Sequence, residues 1–153
     1  MLQLYKPCVD ELWFREQLLA DPATMAYNHA WGGIIPFPRE RWRTWYDQWM
    51  HADERERFYR YLLQTETNEF VGEAAYRIEA GRHMVSIIIS AKYRGRGFGT
   101  DALLLLCQAA RERGLTMLYD SIAVDNPAVH LFLKNGFVLV SQNEEAFLVQ
   151  KRL

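Results

Sequence analysis

Apolar residues recur along this chain with two periods. Short alternating or continuous apolar runs predict strands at Leu2–Lys6, Phe58–Thr65, Phe70–Ile78, His83–Ser90 and Met117–Val124. A closing hairpin follows at Phe137–Val140 and Ala146–Lys151. Helical spacing predicts Val9–Ala20, closed by Asp21-Pro22 because the residue before proline disfavours helix. A second helix opens at Pro38 and places Trp42, Trp45, Tyr46 and Trp49 on one face, which reads as core packing before it reads as a substrate wall. Asp101–Arg113 is a third, ended by Gly114 with Arg111 and Arg113 at the negative end of its dipole. Asp125-Asn126-Pro127 starts a fourth, and Asn135-Gly136 ends it. Short turns make the second to fourth strands an antiparallel meander, and the helix between the fourth and fifth strands makes those two parallel. In the third strand, Phe70, Ala74, Tyr76 and Ile78 are predicted to share one face, and Val71, Glu73, Ala75 and Arg77 the other.

Composition bounds this α/β chain. Its 153 residues suit one domain, half of them apolar and 14% aromatic. A net charge of −1 gives no bulk attraction to nucleic acid or to an acidic membrane. Cys8 and Cys107 match no metal-ligand spacing, and Cys107 reads as a small buried hydrophobe. The N-terminus lacks a signal-peptide core and no apolar run reaches bilayer length, so the expectation is a cytoplasmic protein.

Candidate chemistry concentrates where the run Met84–Ser90 meets Tyr93-Arg94-Gly95-Arg96-Gly97-Phe98-Gly99-Thr100. Three glycines at a strand-to-helix turn admit a tight backbone and close approach to its amides. The helix behind them offers unpaired N–H groups and a positive dipole end, which together suit phosphate. The same pattern also serves as a plain connection. The glycine spacing departs from the dinucleotide fingerprint, and no lysine precedes Thr100 as a triphosphate loop needs. The irregular stretch Asp21–Pro38 carries Asn28, His29 and Trp31 beside Gly32-Gly33, residues suited to lining a pocket. His29 reads more readily as an exposed loop histidine than as a catalytic one.

Arg94-Gly95-Arg96-Gly97-Phe98-Gly99 resembles the loop of the GNAT superfamily of acyl-CoA-dependent N-acyltransferases: Gln or Arg, two residues, Gly, any residue, Gly or Ala. The run from Asn126 to Phe137 resembles that superfamily's second pattern, except that Phe132 stands where the family has tyrosine. The specific motifs lie within residues 87–99 and 126–137, while the predicted element order is similar to the family's throughout. The resemblance implies a single α/β domain with a mixed, mostly antiparallel sheet and a splayed parallel pair of central strands flanked by helices. It implies acetyl-CoA as co-substrate, an amine acceptor, and a second copy of the chain as a partner. It assigns the pyrophosphate to Arg94, Gly95, Arg96, Gly97, Phe98, Gly99 and Thr100. It assigns the pantetheine arm to Ile87, Ile88, Ile89 and Asn126, and the adenosine end to Lys134. The amide of Ile89 is expected to polarise the thioester carbonyl.

Acyl transfer needs a neutral amine, and holding a lysine-like amine neutral near pH 7 costs roughly 4.6 kcal/mol. A carboxylate base is therefore useful, and Glu73, mid-strand, is the first candidate; a Glu73–Arg77 surface pair is the structural alternative. His83 and Glu79 are weaker candidates at strand ends. Phe132 cannot protonate the leaving thiolate as the family's tyrosine does; Tyr93 or Tyr119 are the hydroxyls to consider instead. A non-catalytic acyl-CoA-binding module is the alternative to an enzyme.

Overall fold

The computed structural model describes the backbone of every residue, and every side chain except those of Ala30 and Trp31. Strands β1 (Leu2–Tyr5), β2 (Arg57–Gln64), β3 (Glu69–Glu79), β4 (Arg82–Ile89), β5 (Met117–Ala123), β6 (Val138–Gln142) and β7 (Ala146–Arg152) form one sheet in the order β1-β2-β3-β4-β5-β7-β6. Every neighbouring pair is antiparallel except β4–β5. The predicted strand set and the parallel central pair are both present. The helices are α1 (Trp13–Ala20), α2 (Trp42–Met50), α3 (Phe98–Glu112) and α4 (Ala128–Lys134). The first two expected helices begin instead with single 3-10 turns, Val9–Glu11 and Arg39–Arg41.

Two apolar clusters cover the two sheet faces. On one, α3 and α4 supply Leu103, Leu106, Val129 and Phe132 against Leu62, Val71, Leu118 and Val149. On the other, α1 and α2 supply Phe14, Leu18, Trp42 and Met50 against Tyr59, Tyr61 and Ala75. The aromatic face of α2 is thus core: Trp45 sits edge-on to Tyr59 at 4.7 Å and stacks with Trp49 at 6.0 Å.

The face assignment at the start of β3 is corrected. Leu62 pairs with Gly72 but Leu63 pairs with Phe70, so a bulge leaves Val71 without a partner. One extra residue reverses the alternation before it. Val71 joins Ala74 and Tyr76 under α3, while Phe70 packs on Phe14 and Tyr61 on the opposite face. Gly72 permits this: a Cβ there would lie 2.2 Å from the carbonyl oxygen of Ile88.

The parallel pair is nearly unpaired. β4 and β5 share one registered position, Met84 with Tyr119, and beyond it they diverge. A cleft therefore opens through the sheet from this apex towards the end of β4.

Candidate active site

The divergence creates a cavity of about 550 Å³ between β4, β5, the start of α3, the start of α4 and the loop after α1. Its floor is backbone. Ser90 donates its N–H to the Val71 carbonyl at 2.9 Å, across to β3. Alternation then turns the N–H of Ile88 to β3 as well and leaves those of Ile87 and Ile89 facing the cleft. Of the three predicted isoleucines, Ile88 is thus committed to the β3–β4 ladder, and the other two offer free polar backbone.

At the open end the loop is built as a cradle. Gly95 and Gly97 adopt left-handed φ of 78° and 82°, a conformation that side-chain-bearing residues resist. Gly97 is the N-cap of the 15-residue α3, and no side chain caps that helix. The N–H groups of Phe98, Gly99 and Thr100 therefore end without intrahelical partners beside the cavity they line. The helix starts three residues before the predicted Asp101, so the last loop residues are its first turn. Gly99 also lets α4 approach, since a Cβ there would lie 2.9 Å from Leu131 Cδ1.

Other predicted residues divide. Asn126 and Asn28 line the cavity; Asn28 donates to the Gly33 carbonyl at 2.7 Å and so closes its own loop. Arg94 lines it too, but its guanidinium donates to the carbonyls of Ala23 (3.2 Å) and Thr24 (2.5 Å). Together with the Ala91 N–H bonded to Thr24 Oγ1 at 3.0 Å, this ties the loop after α1 to the cradle. Arg96 lies over the Tyr93 ring, and neither it nor Lys134 lines the cavity. His29 also stands outside it, exposed, with Nε2 2.6 Å from Asp125 Oδ2, bridging the loop after α1 to the loop after β5. The side chain of Trp31 lies outside the described residues.

Glu73 is placed elsewhere. It is buried on the α1–α2 face, not in the cavity, and takes two bonds from Arg15 Nη1 at 2.7 and 2.8 Å and one from the Tyr59 hydroxyl. Arg15 lies 4.5 Å from the Trp45 ring centroid and 5.0 Å from that of Phe37. Burial alone would lower the Arg15 pKa, but the Glu73 charge outweighs it and the guanidinium stays charged. Glu73 is thus engaged in a buried ion pair outside the cavity. The expected Glu73–Arg77 pair is absent as well, because Arg77 bonds Glu79 at 2.7 Å. His83 donates its Nε2–H to the Arg55 carbonyl, 2.7 Å away, and does not line the cavity.

One group escaped sequence reasoning. Asp120 lines the cavity one residue past the apex, and among the described lining residues it is the sole carboxyl. It shares a face with Leu118 and Ile122 of the α3-side cluster, and its cross-strand neighbour is the fully buried Val149. Burial pushes its carboxyl well above the ordinary carboxylate range, offset in part by the Ser121 N–H and by the charge of Arg77. An acidic residue interrupting an apolar strand was the available signal.

The family description "Acetyltransferase (GNAT) domain" matches residues 3–138. The chain belongs to the GNAT acetyltransferases. No curated protein matches its sequence. Among solved structures, spermidine N-acetyltransferase from Vibrio cholerae in complex with CoA and spermine is similar at a TM-score of 0.82 and 20% identity, covering 99% of this chain and 95% of that one. A phosphinothricin acetyltransferase from Sinorhizobium meliloti in complex with AcCoA follows at 0.78 and 16%, covering 99% and 88%. The PaiA N-acetyltransferase from Thermoplasma acidophilum in complex with coenzyme A gives 0.73 and 12%, covering 100% and 99%. At these identities the likeness is one of fold, and this GNAT domain has that fold from end to end.

Proposed function

We propose that this acetyltransferase moves an acetyl group from acetyl-CoA to a primary amine of a small molecule or peptide. The observation that carries the reading is the uncapped N-terminus of α3, preceded by two left-handed glycines and opening into the cleft between β4 and β5. The residues fit the co-substrate. Amides of Gly95 to Thr100 suit the pyrophosphate, and the free backbone of Ile89 with Asn126 suits the pantetheine arm. Ile87 lies two residues closer to the apex, so its N–H, in place of the expected Ile89 N–H, is assigned to the thioester carbonyl. Such a donor lowers the barrier by stabilising the charge that grows on that oxygen. The amine enters past Met25, Tyr27 and Asn28, the segment that Arg94 fastens to the cradle. A cytoplasmic setting and pairing of two copies complete the reading. The exposed apolar strip Val138, Leu139 and Val140 on the edge strand β6 supports pairing, and a monomeric mass by light scattering at micromolar concentration would refute it.

Phe132 supports a second reading, an acyl-CoA-binding sensor without turnover, because it removes the family's acid. The two are separated by titrating acetyl-CoA calorimetrically and then following CoA release with a panel of amines. The enzyme reading predicts binding and release with at least one amine class. Binding with no release from any class supports the sensor; no binding overturns both.

A further inference from the structure

We infer that the acceptor is a small amine carrying its own anionic group, a carboxylate or a phosphate, and that Arg77 and Arg82 hold this group on the sheet face away from α3 and α4. The inference rests on the acetyl-CoA reading above and narrows its acceptor to one chemical class.

Strand register defines the surface. Arg77, Met84, Tyr119 and Gln150 form one row across β3, β4, β5 and β7. Alternation puts this row on the face of Ala75, which belongs to the α1–α2 cluster. The core stops short of it, since Met84 and Tyr119 belong to neither apolar cluster. Two residues on, Ser86 of β4 and Ser121 of β5 stand on the same face and line the cavity. The cleft therefore opens between two hydroxyls onto the row. The phosphate cradle belongs to α3, on the other face, so this opening is left to the acceptor. Met25, past which the amine enters, belongs to the α1–α2 cluster as well.

The charge of this surface is one-sided. On the same face Arg57 stands directly opposite Arg77, Arg82 opposite Glu79, and Arg152 opposite Met117. These arginines share one carboxylate, in a chain whose net charge is −1. Arg77 donates to Glu79 at 2.7 Å. Arg57, Arg82 and Arg152 have no carboxylate partner among the described residues. Like charges directly opposed across strands are destabilising, and a bound anion relieves that cost.

Two of the cations reach towards the opening. Arg82 Cζ lies 5.2 Å from the centroid of the Tyr119 ring, in the row itself. The charge of Arg77 is felt inside the cleft, where it offsets part of the burial of the Asp120 carboxyl. A guanidinium presents a planar fork of donors that matches a carboxylate or a phosphate. Two residues of strand rise, roughly 7 Å, separate the serines from the row, a span that one small molecule bridges with its amine at the opening and its anion on the arginines.

The test uses five-carbon amines that differ only at the far end: δ-aminovalerate, the aminoalkyl phosphate of the same length, δ-aminovaleramide and cadaverine. A short acidic peptide and its glutamine-substituted counterpart form a second arm. CoA release is followed with each, and each is titrated calorimetrically into the enzyme saturated with CoA. The expected result is kcat/KM for an anionic probe about tenfold or more above the amide and the diamine, the scale of a hydrogen bond to a charged group. Arg77→Gln and Arg82→Gln each bring that ratio at least fivefold closer to one, while calorimetric acetyl-CoA affinity stays within threefold and shows that the variants are folded. Arg43→Gln, on the exposed side of α2, leaves the ratio unchanged. If no amine is turned over, the same ratios in calorimetric affinity decide. Equal values across the small probes, a preference for cadaverine, a ratio unmoved in both variants, or a preference confined to the peptide pair overturns the proposal and leaves the acetyl-CoA reading intact. Absence of acetyl-CoA binding by the wild type overturns both.

Discussion

Replacing Glu73 with Gln tests whether a buried carboxylate next to a cleft is structure or chemistry. The side chain is 5% exposed and its partner Arg15 16% exposed, so the pair sits in a low-dielectric setting. Removing one partner of a buried pair costs roughly 3–5 kcal/mol, because the other charge is left uncompensated. Here the Gln oxygen still accepts one bond from Arg15 Nη1, returning about 1 kcal/mol. The faces of Trp45, Phe37 and Tyr59 continue to hold the guanidinium. The Arg15 Nε, buried and without a hydrogen-bond partner among the described residues, gains no relief. The expected loss is about 2–4 kcal/mol. For a chain of this size that lowers Tm by about 4–16 °C. Urea unfolding followed by tryptophan fluorescence measures it, since Trp45 lies against Arg15. The double variant Arg15→Met with Glu73→Leu should recover most of the loss, because an apolar replacement of a buried pair is near neutral. At a temperature where all variants are folded, Glu73→Gln should keep kcat within about threefold. A stability change below about 0.5 kcal/mol combined with a hundredfold loss of kcat would show that Glu73 takes part in the chemistry.

Three further outcomes are expected. Gly97→Glu should abolish calorimetric acetyl-CoA binding, since it brings negative charge to the uncapped amides of α3; Gly97→Ala, whose Cβ meets no atom within 4 Å, should add only backbone strain of about 1–2 kcal/mol. Gly72→Ala should destabilise by on the order of 3 kcal/mol in chemical denaturation, because its Cβ collides with the Ile88 carbonyl and not with a movable side-chain end. Asp120→Asn should raise stability at neutral pH. The native carboxyl is raised above its unfolded value, so the native state binds the extra proton and wild-type stability falls as pH rises from the unfolded pKa through the folded one. Thermal scans should show the variant's advantage absent near pH 3, growing through that window, and constant above it; an advantage independent of pH would contradict the raised pKa.

The strands and helices were legible because burial on one face imposes a period that local sequence must carry. Lys134 and Arg96 looked like ligands by motif position, yet both lie outside the cavity, since a motif specifies a backbone turn and not where long side chains end. Glu73 could not be placed for a different reason. Its partners Arg15 and Tyr59 stand 58 and 14 residues away in sequence, and only packing α1 across β2 and β3 unites them.

The order of strands and helices along the chain, the parallel β4–β5 pair and the glycine-rich turn before α3 were legible in the sequence alone, because local periodicity and the backbone freedom of glycine carry them. The tertiary structure alone decided which groups share the cleft. The bulge at Val71 exchanged two faces of β3. The single β4–β5 pairing at Met84 and Tyr119 set where the cleft closes. That closure put Asp120 inside it and left Glu73 behind the sheet. Faces and cavities depend on register between strands far apart in the chain, and no local window contains that information.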